Sequence, residues 1–197
     1  LFPKGFINET IVSINVLSYD GENEPEVLGT IGASAAIAIS DIPWDGPVAS
    51  VSIGRIDEKF VINPSLEQLE SSDLNMVVSG TSDSVVMVEG VSDFITEEDV
   101  LSAIQYAHGV IKDIVAMQND LVKECGQEKR VVKEPEVNEA LHSKIDDVMK
   151  DDYVSLNDPK NKAERYGAID DYVADIVSKF EEEYPDDLGS VKSYVND

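Results

Sequence analysis

At 197 residues the chain has room for one or two compact domains, and a hydrophobic fraction of 42 % is enough to build a core. Forty acidic residues against 15 basic ones give a formal charge of −25, which excludes a surface that attracts polyphosphate unless basic residues gather in one place. The longest basic concentration, Lys129-Arg130 with Lys133, is flanked by Glu128 and Glu134, and a lone cysteine, Cys125, excludes an internal disulfide and fits a reducing compartment.

Thr10 to Leu17 is β-branched and apolar, the pattern of a buried strand. Tyr19-Asp20-Gly21-Glu22-Asn23 has turn chemistry. Pro25 fits the first position of a helix running to Ser40, with Glu24 and Glu26 near its positive end. Gly29, Gly32, Ala33, Ala35 and Ala36 make that helix small-sided, as close packing requires. Pro43-Trp44-Asp45-Gly46-Pro47 breaks the chain. Val48 to Ile53 alternates as a strand, with Phe60 to Ile62 as a hairpin partner and Ser65 to Glu70 as a short helix. Leu74 to Val78 and Val85 to Val88 read as further strands. Thr96 with Asp99 is a capping start for a helix whose apolar residues are Val100, Ile104, Ile111, Val115 and Val122, ending near Gly126.

Residues 1–126 thus form an α/β domain, and the charged stretch 127–135 reads as a linker. Residues 136–197 read as an acidic, all-helical domain. One apolar stripe there is Val137, Leu141, Ile145 and Val148; a stronger one is Ile169, Tyr172, Val173, Ile176, Val177 and Phe180. Asp170, Asp171, Asp175 and Glu181 to Glu183 lie opposite, as a solvated acidic face.

No phosphate-binding loop, dinucleotide fingerprint, HExxH or CxxC is present. His108 lies beside an apolar stripe and is read as a packed histidine; His142 is read as a surface one. No apolar stretch is long enough to span a membrane, and no charged-then-apolar leader opens the chain. The chain opens Leu1-Phe2-Pro3 with no initiator Met and is expected to be a piece of a longer protein.

Several stretches, in order, resemble one family. Leu1-Phe2-Pro3-Lys4-Gly5-Phe6 is followed by Asn23-Glu24-Pro25-Glu26-Val27-Leu28, leading into Ile31-Gly32-Ala33-Ser34-Ala35-Ala36. Ser40-Asp41-Ile42-Pro43-Trp44-Asp45-Gly46-Pro47 and Val61-Ile62-Asn63-Pro64 come next, then Leu74-Asn75-Met76-Val77-Val78-Ser79-Gly80-Thr81 and Val86-Met87-Val88-Glu89. Pro135-Glu136-Val137-Asn138-Glu139-Ala140-Leu141 adds a looser match. Together they resemble the first RNase PH-like half of the polynucleotide phosphorylase family, followed by its helical linker.

That resemblance implies a fold: a partial RNase PH-like (ribosomal protein S5 domain 2-like) α/β half, then an all-α domain. It implies a phosphorolytic 3′–5′ exoribonuclease that releases nucleoside diphosphates from RNA and can run in reverse. The family assembles as a homotrimer in the cytoplasm (alternatively in mitochondria), with no membrane. Catalysis, inorganic phosphate and Mg2+ or Mn2+ belong to a second RNase PH-like half outside this chain. No cofactor is expected in this segment. Where the catalytic half carries serines that cradle phosphate, this chain has Glu24, Pro25 and Glu26. Where it carries Asp, Asp and Lys, this chain has Leu69, Asn75 and Val77, with Asp73 left alone. The segment is therefore expected to be a non-catalytic scaffold for the ring and the RNA channel, whose sheet exposes unpaired edges. RNA contact by Lys4, Arg55 or Lys59 stays open. So do two other functions: a stand-alone acidic protein-interaction module, and a single-domain phosphorolytic enzyme.

Overall fold

A computed structural model describes residues 1–133, 137–149, 156 and 161–196. The chain divides into two compact units, residues 1–135 and 136–197. The first is mixed α/β and the second all-α.

The first unit is organised by four antiparallel strands: β1 (Ala49–Ile56), β2 (Lys59–Ile62), β3 (Leu74–Gly80) and β4 (Val85–Ser92), in the order β2-β1-β3-β4. Alternation along β1 sends Ala49, Val51 and Ile53 to one face, and β3 sends Leu74, Met76 and Val78 to the same face through the pairs Val51↔Val78 and Ile53↔Met76. Against that face lies α3 (Glu97–Cys125), which contributes Ala103, Ala107, Ile111 and Val115 to one continuous core. Each fully buried Ile or Val contributes about 1.5–3 kcal/mol relative to exposure. The β1–β2 hairpin closes through Asp57 and Glu58, both in the left-handed region at φ 48° and 61°, the pair of positive angles that matches strand twist in a two-residue turn.

α3 begins as its sequence dictates. The Thr96 hydroxyl accepts from the Asp99 amide at 3.1 Å and donates to the Asp99 carboxylate at 2.9 Å. Its deepest line is Ala103, Ala107, Ile111, Val115 and Gln118; Val100, Ile104 and Val122 are only half-buried. Gly126 ends the helix at φ −67°, so no left-handed turn is involved. Glycine is required there by proximity, because a Cβ would stand 2.4 Å from the Val122 carbonyl oxygen. α2 (Leu66–Leu69) has a full capping box, Ser65 with Gln68.

α1 (Glu26–Ile39) follows the proline but does not include it: Pro25 stands at the N-cap. Ser34 on α1 donates to Gln118 Oε1 at 2.7 Å and accepts from the Val48 amide at 3.0 Å, while Gln118 Nε2 donates to the Val48 carbonyl at 2.9 Å. This closed triangle ties α1, α3 and the start of β1 together inside the core.

The stretch after α3 is bound rather than free at its beginning. Lys129 Nζ donates to the carbonyls of Ile37, Ala38 and Ser40 at 2.7–2.9 Å, capping the negative end of α1. Arg130 grips Asp41 through Nε and Nη2, which holds the Asp41 carboxyl below its ordinary range and raises the guanidinium. The Gln127 and Arg130 amides donate to Ile39 and Asp41 carbonyls. The expected linker therefore starts later in space than in composition.

Two expectations for this unit need correction or extension. Thr10 to Leu17 is neither a strand nor buried: Ile11 is 79 % and Leu17 95 % exposed, since no neighbouring strand completes its hydrogen bonding. The unpaired edge is real: β4 is an edge strand whose eight residues are all exposed, Val91 to 73 %.

The second unit contains α4 (Glu139–Met149), α5 (Lys162–Phe180) and α6 (Leu188–Asn196). Asn161 caps α5 by accepting from the Glu164 amide at 3.0 Å. Leu141, Ile145, Ile176, Phe180 and Val191 form its core, with Tyr172, Val177 and Tyr184 among the residues packed around it. Val137, 63 % exposed, and Val148 stay outside, so only half of the first expected stripe is buried. His142 is half-buried rather than a surface residue. It stacks on Tyr194 at 3.8 Å, and the Tyr194 hydroxyl donates to Asp146, an arrangement that raises the phenol above its usual value. Among the described residues no helix is long and apolar enough to cross a membrane.

Candidate functional site

The approach to α1 holds the positions that the resemblance sets against a phosphate cradle. A helix N-terminus presents unpaired amides and a partial positive charge to an anion. Here an internal carboxylate already occupies the neighbouring loop. Asp20 Oδ1 accepts from the amides of Glu22 and Asn23, each at 2.9 Å, and its Oδ2 accepts from the Asn23 side chain at 2.6 Å. These bonds, those from Asn23 first, lower its pKa to about 2. Half-buried Glu24 and exposed Glu26 then flank Pro25, which has no amide hydrogen to offer. Two carboxylates beside an incoming phosphate each oppose it by about 1 kcal/mol at 4 Å in water.

The second set of positions lies on and before β3. Asn75 and Val77 occupy the sheet face opposite the α3 core, with Val77 paired to Ser52 on one side and Glu89 on the other. Leu69 ends α2 and is half-buried. The two sets are linked by one backbone bond, from the Leu66 amide to the Glu22 carbonyl at 3.0 Å.

Asp73, the carboxylate left at this place, is already engaged. Arg55 Nη1 meets Asp73 Oδ2 at 2.6 Å, and Arg55 Nη2 meets Asp99 Oδ2 at 3.4 Å. A guanidinium that never loses its charge thus stands between two carboxylates, where a divalent cation would need to bind. The Arg55 side chain is only 14 % exposed. Among the described residues no three His, Cys, Asp or Glu side chains gather closely enough to hold a metal ion. The donor set does not fit Mg2+ or Mn2+.

His108 is structural: its Nε2 lies 3.0 Å from the Thr81 carbonyl and holds the β3–β4 turn. The Arg55–Asp73–Asp99 cluster and the Ser34–Gln118–Val48 triangle escape a sequence reading. Their members stand 14 to 84 positions apart, with no motif to join them.

Residues 46–110 match the family model described as the 3′ exoribonuclease family, domain 2. Along all 197 residues the chain is 39 % identical to the polyribonucleotide nucleotidyltransferase of Geotalea daltonii. It is 40 % identical over 200 aligned residues to that of Geobacter sulfurreducens, and 41 % identical over 187 to that of Bacillus velezensis. All of this chain is covered in the first two cases and 95 % in the third. The chain spans only 28 %, 28 % and 26 % of those relatives' own lengths, so it corresponds to a segment of such proteins. A solved structure of rice (Oryza sativa) Rrp46 superposes at TM-score 0.47 and 10 % identity, over 52 % of this chain and 50 % of that one, too partial a likeness to bear on function.

Proposed function

We propose that this chain, similar throughout to a segment of polyribonucleotide nucleotidyltransferases, is a non-catalytic section of a phosphorolytic 3′–5′ exoribonuclease. The full-length similarity supports the parent activity. The observation that carries the non-catalytic assignment is Arg55 held between Asp73 and Asp99.

The chemistry explains why. In phosphorolysis an oxygen of inorganic phosphate attacks the last phosphodiester phosphorus. A new P–O bond forms, and the bond to the 3′ oxygen of the preceding nucleotide breaks. A nucleoside diphosphate leaves, and that 3′ oxygen takes up a proton. Two anions must approach each other, so the site needs fixed positive charge aimed at the reacting phosphates. Here the α1 end carries Glu24 and Glu26, the β3 positions are Asn75 and Val77, and one Asp73 oxygen is taken up by Arg55. A second RNase PH-like half of the parent protein would supply the phosphate site and the divalent cation. This section would brace that half in a homotrimeric ring and line the RNA channel, in the cytoplasm of a bacterium or in mitochondria. Similarity over the whole chain favours this over a stand-alone interaction module.

The test is direct. The purified chain, given a short RNA, phosphate and Mg2+, should release no nucleoside diphosphate above a phosphate-free control. Phosphate-dependent release would overturn the assignment.

A further inference from the structure

Residues 127–135 follow the Gly126 cap of α3 and precede the second unit, which begins at Glu136. Among the described residues of this connector only the first four are tied down. The Gln127 and Arg130 amides donate to the carbonyls of Ile39 and Asp41, each at 2.9 Å. Lys129 Nζ and the Arg130 guanidinium close the same stretch onto the end of α1. Beyond Arg130 the tie stops: Val131 is 94 % exposed, and no hydrogen bond or ion pair holds Val131, Val132 or Lys133.

The tie is polar alone. Gln127-Glu128-Lys129-Arg130 has no apolar side chain to bury. A segment held without apolar burial opens locally, well below the cost of unfolding the core. Its two catches differ. The Arg130–Asp41 pair is exposed, 57 % and 39 %, so salt screens it. Lys129 is half-buried among three carbonyls at the negative end of α1, where screening is weaker. The connector also joins like charges. Residues 1–135 hold 23 acidic residues against 8 basic, and residues 136–197 hold 17 against 7, so the two units repel.

We propose that residues 127–130 are a releasable strap that sets how much connector the second unit has. Closed, the strap leaves five residues, 131–135; open, it leaves nine, 127–135. The difference adds at most about 14 Å of reach. It also lowers the effective concentration of one unit at the other by about two- to threefold. Asp41 is the salt-sensitive catch and Lys129 the anchor, so rising ionic strength loosens the outer end of the strap first.

Hydrogen exchange on the intact chain tests the strap, and small-angle scattering tests the connector. The Gln127 and Arg130 amides should exchange about 100-fold more slowly than open chain, yet faster than the amide of Ile111 in α3. Raising the salt should speed the Arg130 amide. Asp41→Asn should speed it about threefold and remove that salt dependence. Lys129→Met should release both amides by about tenfold. Neither variant should change exchange at Ile111. Carrying both substitutions, the chain should have a larger radius of gyration than the unaltered one. Open-chain exchange at Gln127 and Arg130 in the unaltered chain would overturn the proposal, as would loosening of Ile111 together with the strap. An unchanged radius of gyration once both amides are released would show that the clip does not limit the connector, and the proposal would fall.

Discussion

The two units bury their side chains differently. Residues 1–135 place polar groups inside: Ser34, Ser50, Ser52, Ser79 and Gln118 are all buried. Ser50 and Ser79 share a hydrogen bond across β1 and β3 at 2.6 Å, and the Ser34–Gln118 bond spans 84 positions. Among the described residues of the second unit every fully buried side chain is apolar. Its polar contacts lie on the rim, as in Lys144 with Glu183 and Tyr194 with Asp146. The Ser52 hydroxyl is buried without a hydrogen-bond partner, but the Ser34–Gln118 and Ser50–Ser79 pairs each fix one arrangement, whereas an all-apolar core depends on volume and tolerates repacking. The first unit should therefore be exacting and the second permissive.

The largest effects test whether the units are independent. Ile111→Ala and Ile176→Ala each empty a fully buried position and should cost about 2–5 kcal/mol. Site-resolved hydrogen exchange should show Ile111→Ala loosening only the first unit and Ile176→Ala only the second. Loosening of both by either variant would break the comparison. Next, Gln118→Leu keeps size but strands Ser34 and the Val48 carbonyl; it should cost about 1–3 kcal/mol in denaturant titration. Ile145→Leu in the second unit should cost less, under about 1.5 kcal/mol. Lys129→Met removes the cap on α1. A loss of about 1 kcal/mol, with faster exchange at the amides of Gln127 and Arg130, is the expected outcome.

Two smaller effects concern charge. Replacing Asp170, Asp171 and Asp175 by Lys in a complete enzyme should tighten RNA retention by roughly tenfold at low salt, with the gain shrinking as salt rises. Unchanged affinity would show that the acidic face never meets RNA. The smallest effect is acid sensitivity at Asp20. Its folded pKa of about 2 lies below the ordinary 3.8, so its contribution is present above 3.8 and lost as pH falls from there towards 2. Asp20→Asn should flatten that limb of the acid titration by lowering stability at neutral pH.

The same contrast governs what the sequence discloses. Local chemistry is legible: Thr96 with Asp99 and the turn at Asp20 appear where their side chains require them. The stripe on α3 is legible only in part. Apolarity draws attention to Val100, Ile104 and Val122, whereas the helix approaches the sheet on its smallest side chains, Ala103 and Ala107. Thr10 to Leu17 has strand chemistry, but a strand needs a neighbour, and no residue within the segment says whether one is present. At the candidate site the missing serines and carboxylates are visible by resemblance alone. The partner of Asp73 is not: it is Arg55, 18 positions away, and the fold joins them.

Gln118 has one more consequence. Its amide oxygen and nitrogen face opposite partners, the Ser34 hydroxyl and the Val48 carbonyl, so the bond pair works as a locating pin for a 29-residue helix. Apolar ridges alone would let such a helix slide by one turn and find similar contacts again. Sliding by 5.4 Å would pull the amide off both partners at once and leave them stranded in the interior. The long helix therefore has a single stop along its travel, and the far end, at Cys125 and the Gly126 cap, inherits its position from that stop.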